Sequence, residues 1–208
     1  MPFASLEDAI HRLDGKHLLG ADASVSVRLP GTQDILLGTP GQASVRVSLA
    51  AADGQHAWHA AVYRARPDVG AIALGGGVYG RALGDFGGKL PQVFDEQARH
   101  LGRTALALRD MAGDPAASAE HCLATGGNAW SCGQTLLVFG STTQRLVLNA
   151  ELLEKCAKAY VLAAASGAAV HTLPWWVCHI ANGRLKKDQR RAMERFAQGL
   201  LPEEVKGY

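Results

Sequence analysis

The sequence predicts an α/β domain built on a mixed sheet whose early part is antiparallel, with helices on both faces. Three observations carry that reading. In two segments apolar and polar residues alternate: Val25, Val27 and Leu29 between Ser24, Ser26 and Arg28, and Val45, Val47 and Leu49 between Ser44, Arg46 and Ser48. A period of two marks half-buried strands with one wet face. Residues 69–74 and 135–139 are short apolar runs, each followed by glycine, the pattern of central strands. Around them lie stretches long enough for helices, among them 55–66 and 150–165.

Taken in order, Ser5 can cap a short helix over 6–13, closed by Gly15. Strands over 24–29, 35–37 and 44–49 form a meander, with Pro30-Gly31 and Pro40-Gly41 as turns. A helix over 55–66 stops before Pro67. After the strand at 69–74, helices are predicted over 94–101 and 104–111, parted by Gly102, and over 116–124. Asn149 is read as the cap of a long helix over 150–165, and 187–198 as a closing basic helix. Residues 160–183 contain no Asp, Glu, Lys or Arg. Pro174, His171, His179 and Asn182 interrupt them, so they read as a helix end and an apolar loop and not as a membrane span. There is no internal repeat. One domain, 1–208, is expected, with 184–208 as a C-terminal basic helix and tail.

Composition narrows the function. The 208 residues carry 21 Lys+Arg against 19 Asp+Glu, a net charge of +2. That is too weak a field for an electrostatic nucleic-acid binder. A hydrophobic fraction of 48% argues for a real core and against disorder. The four cysteines, at 122, 132, 156 and 178, form no C-x-x-C pair and read as thiols of a reducing compartment. The first residues have neither a basic nor an apolar signal region, so a cytoplasmic location is expected.

Gly75-Gly-Gly-Val-Tyr-Gly80 fits the dinucleotide fingerprint, and Asp95 and Glu96 follow at about the ribose-acid distance. The fingerprint works only when its glycines open a helix that holds the pyrophosphate. Here Gly84, Gly87, Gly88 and Pro91 follow, and interior glycines cost a helix about 0.5–1 kcal/mol each. A nicotinamide enzyme is therefore not expected. The remaining readings of Gly75, Gly76 and Gly77 are a strand end needing unusual backbone angles, or bare N–H groups able to bind an anion.

Four segments in order resemble the class II aldolase/adducin family: Ser24-Val-Ser-Val-Arg-Leu-Pro-Gly31, then His59-Ala-Ala-Val-Tyr-Arg-Ala-Arg-Pro-Asp-Val-Gly-Ala-Ile72, Leu90-Pro-Gln-Val-Phe-Asp-Glu-Gln-Ala98 and Leu153-Glu-Lys-Cys-Ala-Lys-Ala-Tyr-Val-Leu-Ala163. The resemblance implies a three-layer αβα sandwich around a central, largely antiparallel sheet, and a homotetramer with active sites between subunits. It also implies zinc held by three histidines, two from a His-x-His, with a glutamate as acid/base. Zinc would polarise the substrate oxygens while the carboxylate moved the proton.

In this sequence the His-x-His positions fall on Leu74 and Gly76, and the third histidine on Gly140. No Glu lies between 8 and 95, and no His between 60 and 99. The phosphate-binding segments fall on Ala23-Ser24 and Asp53-Gly54, with only Gly41 of the third turn retained. Leucine and glycine offer zinc no donor, so no zinc and no other cofactor is expected. The implied role is a binding, regulatory or structural oligomer, with a small anion as the conceivable ligand of a cleft formed by Gly41, Gly75, Gly76, Gly77 and Gly140. The alternative is a zinc-independent lyase or epimerase acting on a sugar acid or sugar phosphate, with Arg28, Gln55, His59 and Ser141 as its polar groups.

Other candidates have plainer readings. His56 and His59 share a helix face but lack a third ligand, so they read as one surface and one hydrogen-bonded histidine. His121 beside Cys122 reads as a surface–core pair. Trp175-Trp176, flanked by His171 and His179, reads as an apolar loop at a subunit interface. Arg184, Lys186, Lys187, Arg190 and Arg191 read as a solvated helix face.

Overall fold

The structure is a computed structural model that describes residues 2–51, 53–54, 56–103, 123–132, 135–167 and 169–203. Its centre is a six-stranded sheet of β1 (Ser24–Arg28), β2 (Asp34–Gly38), β3 (Val45–Ser48), β4 (Ala71–Gly75), β5 (Ala129–Cys132) and β6 (Thr135–Gly140), in the order β3-β2-β1-β4-β6-β5. Every pairing among the described strands is antiparallel. The expected meander is β1 to β3.

Side chains of period two divide the core between the faces of this sheet. Val25, Val27, Leu36, Ala71, Ala73, Leu136 and Val138 enter one cluster with α1 (Pro2–Gly15) and α4 (Thr143–Ala165). Ile35, Leu37, Ile72, Leu74, Leu137 and Phe139 enter the other with α2 (His56–Ala65). The result is the three-layer αβα arrangement. A short helix, α3 (Val78–Ala82), follows β4, and a single π-helical turn, Gln97–Leu101, stands where a longer helix was expected. The last helix is α5 (Trp175–Ala197).

Several element boundaries differ from expectation. Asn149 caps nothing. It is buried inside α4 and donates through Nδ2 to the Phe139 carbonyl at 2.6 Å, tying α4 to β6. The true cap is Thr142, whose hydroxyl accepts from the Arg145 N–H at 3.2 Å. The supposed apolar loop holding Trp175 and Trp176 is the first turn of α5, opened by Pro174. β5 was not expected at all. The helix predicted over 104–111, and that over 116–124 as far as His121 and Cys122, lie outside the described residues. No helix among the described residues is long and apolar enough to cross a membrane.

Candidate functional site

The two positions that the resemblance assigns to paired histidines lie at the end of β4, and the chain itself fills the space around them. Leu74 is buried in the α2-side cluster. Gly76 has φ of 86°, and a Cβ added to it would stand 2.5 Å from the Leu136 side chain. A Cβ on Gly77 would stand 2.5 Å from the Glu154 carboxylate, and one on Gly75 2.9 Å from Ala23. These glycines are required by close approach, not by an open pocket.

Just beyond these glycines, two backbone donors at the start of α3 already have an anion. Tyr79 N–H donates to Glu154 Oε1 and Gly80 N–H to Glu154 Oε2, each at 2.9 Å. The carboxylate, carried by α4, sits at the positive end of α3. Glu154 was missed as a site residue although it stands inside the Leu153-Glu-Lys-Cys segment.

Gly140 corrects another expectation. In the ladder Leu74 faces Leu137 and Gly75 faces Leu136, whereas Gly140 faces Ala71. Three and four residues of strand separate Ala71 from Leu74 and Gly75, about 10 and 13 Å at 3.3 Å per residue. Gly140 therefore cannot share a centre with Leu74 and Gly76. It is glycine for a local reason: a Cβ there would overlap the Leu146 backbone nitrogen, where β6 turns sharply into α4. The residues that face the Leu74 end are those of the β5–β6 hairpin, where Cys132 pairs with Thr135.

His59 is not a cleft residue. It is 0% exposed on the α2 face that meets the sheet. Its Nε2 lies 2.8 Å from Ser24 Oγ and its Nδ1 2.7 Å from Ser26 Oγ. Ser26 Oγ also lies 3.0 Å from the Tyr63 hydroxyl. Ser24 and Ser26 share a face of β1 because they are two apart, which is why one imidazole spans both. Burial pushes the His59 pKa down to about 3, with His56 adding to the shift. Burial also raises that of Tyr63. His59 is a neutral, satisfied core histidine, unsuited to exchanging protons with a substrate. Gln55 lies outside the described residues.

Arg28 and Ser141 stand at the opposite end of the sheet from Gly75, beyond the Val27–Ala71 pair and after Gly140. Arg28 donates from Nε to the Val69 carbonyl at 2.9 Å and from Nη2 to the Tyr63 carbonyl at 2.7 Å, and stacks over Tyr63 at 4.8 Å. It fastens the C-terminus of α2 to β1, where helix carbonyls lack partners. Gly41, with φ of 75°, turns the chain between β2 and β3. The groove beside it, about 480 Å³, presents Asp14 and Asp22 with Thr39 and Gln42. Two carboxylates with no basic residue in the lining suit a phosphate poorly. The candidate catalytic set is thus dispersed. Among the described residues, no three His, Cys, Asp or Glu side chains stand together as a metal site.

The comparisons fit this architecture. A search of curated protein sequences finds no match. Solved structures match over most of their length, at identities that speak for the fold alone. An L-fuculose 1-phosphate aldolase from Glaciozyma antarctica PI12 superposes with a TM-score of 0.73 at 18% identity, covering 98% of this chain and 92% of that one. An aldolase II superfamily protein from Pseudomonas syringae gives 0.69 at 18% identity, covering 97% and 95%. An L-fuculose-1-phosphate aldolase from Thermus thermophilus gives 0.63 at 19%, covering 80% and 97%. The family profile described as the Class II Aldolase and Adducin N-terminal domain matches residues 46–161, more than half of the chain. With the sheet, its two helical layers and this match in hand, the chain belongs to the class II aldolase and adducin family.

Proposed function

We propose that this chain keeps the aldolase scaffold without zinc-dependent carbon–carbon cleavage and works as a binding, regulatory or structural oligomer. One observation carries the reading: the groups around the paired-ligand positions are Leu74, Leu136 and an already engaged Glu154, so the residues present do not fit a catalytic zinc. Such a centre wants three N, S or O ligands with an open fourth position. The polar groups of the alternative, a zinc-independent lyase or epimerase, do not converge, because His59 is sealed in the core and Arg28 and Ser141 stand at the far end of the sheet. Purified protein is expected to contain well under one zinc per subunit and to cleave no sugar phosphate such as L-fuculose 1-phosphate. About one tightly held zinc per subunit, with cleavage lost on chelation, would overturn the proposal.

The oligomer rests on α5. Trp175, Trp176 and Ile180 are 77%, 55% and 57% exposed at its first turns, and Trp175 stacks edge-on with His179. Large apolar side chains clustered on one exposed helix end mark an interface. A second copy of this chain is the proposed occupant. Sedimentation velocity is expected to show an oligomer that Trp176→Glu shifts toward smaller species; a wild-type protein that sediments as a monomer would refute it.

A further inference from the structure

A cavity of about 310 Å³ opens at the end of the sheet remote from Gly75–Gly77, between the β6–α4 turn and α5. Five elements converge on it. Ser141 follows β6, Arg145 lies in the first turn of α4, His100 comes from the π-helical turn and Asn128 precedes β5. Ala192 and Arg195 come from one face of α5. His100 and Asn128 are buried, whereas the acidic residues at the mouth, Glu194 and Glu203, are exposed.

The other carboxylates of the wall, Asp68 and Asp188, are engaged by neighbouring arginines. Arg66 holds both oxygens of Asp68 at 2.7 Å, and Arg99 holds Asp188 at 2.6 Å. His100 is held neutral, chiefly by burial, with its pKa pushed down to about 4. Its Nδ1 lies 3.0 Å from Arg145 Nη1, a permanent donor, so Nδ1 accepts and the imidazole proton resides on Nε2. Arg195 donates from Nε to the Leu201 carbonyl at 3.1 Å, leaving its terminal nitrogens as donors to the cavity it lines. The Ser141 hydroxyl has no hydrogen-bond partner among the described residues. The wall therefore offers the His100 Nε2–H, the Ser141 hydroxyl and the Arg195 guanidinium, a fork suited to planar or tetrahedral oxyanions. The mouth is rich in acceptors. Its size is at the lower end for small-molecule sites.

The geometry points to a binding site for a small hydroxylated oxyanion, its carboxylate or phosphate held by Arg195, Ser141 and the His100 Nε2–H and its hydroxyl groups turned toward Glu194 and Glu203. This site is separate from the zinc positions, so its fate and that of the zinc-free reading are independent. Titration calorimetry of the full chain with glycerol 3-phosphate and with glycerate, against glycerol and against sodium chloride at matched ionic strength, tests it and separates the two anion chemistries. At least one of the two anions is expected to bind where glycerol and chloride do not. Arg195→Gln and Ser141→Ala, both at partly exposed positions with folding checked by circular dichroism, are expected to weaken it about tenfold each. Binding indistinguishable from the salt control, or unchanged in both variants, would overturn the proposal.

Discussion

Replacing His59 by alanine is expected to lower the unfolding free energy by about 3–5 kcal/mol, the largest effect of any substitution considered. Two costs combine. The side chain is 0% exposed, so its loss leaves a cavity between α2 and β1. Its nitrogens also bridge Ser24 and Ser26; without them the Ser24 hydroxyl loses its bond and Ser26 keeps only Tyr63. His59→Phe keeps most of the volume and isolates the polar part. Urea unfolding reads both. The same residue makes stability depend on pH. An unfolded chain takes a proton on this imidazole below about 6.5, whereas the folded chain refuses it until about 3. The His59 contribution is therefore complete above the unfolded value and declines as the pH falls between them, by up to about 1.4 kcal/mol per pH unit. His100, held down to about 4, acts in the same direction. Wild type is expected to lose stability more steeply than His59→Phe as the pH falls from about 6.5 to about 5. Equal slopes, or an alanine variant as stable as the parent, would mean that His59 meets water and belongs to a working site after all.

Removing the Glu154 carboxylate comes second. Glu154→Ala is expected to cost about 2–3 kcal/mol, a fall of roughly 5–10 °C in melting temperature for a chain this long. The carboxylate serves two backbone donors, Tyr79 and Gly80, and joins α4 to the segment leaving β4. Without it the first turn of α3 has no acceptor for these N–H groups, and five residues are too few to hold a helix by themselves. Glu154→Gln retains an acceptor but no charge, so a smaller loss is expected. Differential scanning calorimetry of both variants decides the matter: an alanine variant melting with the parent would show the link to be ornamental.

The sheet was legible where its side chains alternate. Val25, Val27 and Leu29 declare one face of β1, and the apolar runs ending at Gly75 and Gly140 declare β4 and β6. β5 escaped notice because Ala129-Trp-Ser-Cys132 is four residues long with one large apolar side chain, and its pairing with β6 is a tertiary fact. Asn149 was misread because asparagine favours caps, and only the Phe139 carbonyl beneath it explains its place within a helix. The start of α5 was hidden by Pro174, read as a loop signal although proline also opens helices. What stands at the positions the resemblance assigns to the paired histidines was legible, and what surrounds them was not. That Leu74 and Gly76 carry no ligand is written in the chain, but nothing local says that Leu136 and Glu154 fill the space, since they arrive from positions about sixty and eighty residues away. The grouping of Gly140 with Gly76 failed because the direction of β6 against β4, invisible in one dimension, puts them at opposite ends.

The packing around Gly76 has a bearing on anyone wishing to graft a pair of histidines here. An imidazole grafted at 76 would collide with the isobutyl group of Leu136 and inherit a backbone angle of 86° that only glycine tolerates well. One grafted at 74 would put a polar ring among hydrocarbon. Neither step is benign alone: the hairpin carrying Leu136 and the bend after Leu74 would have to be redesigned together before the first histidine goes in.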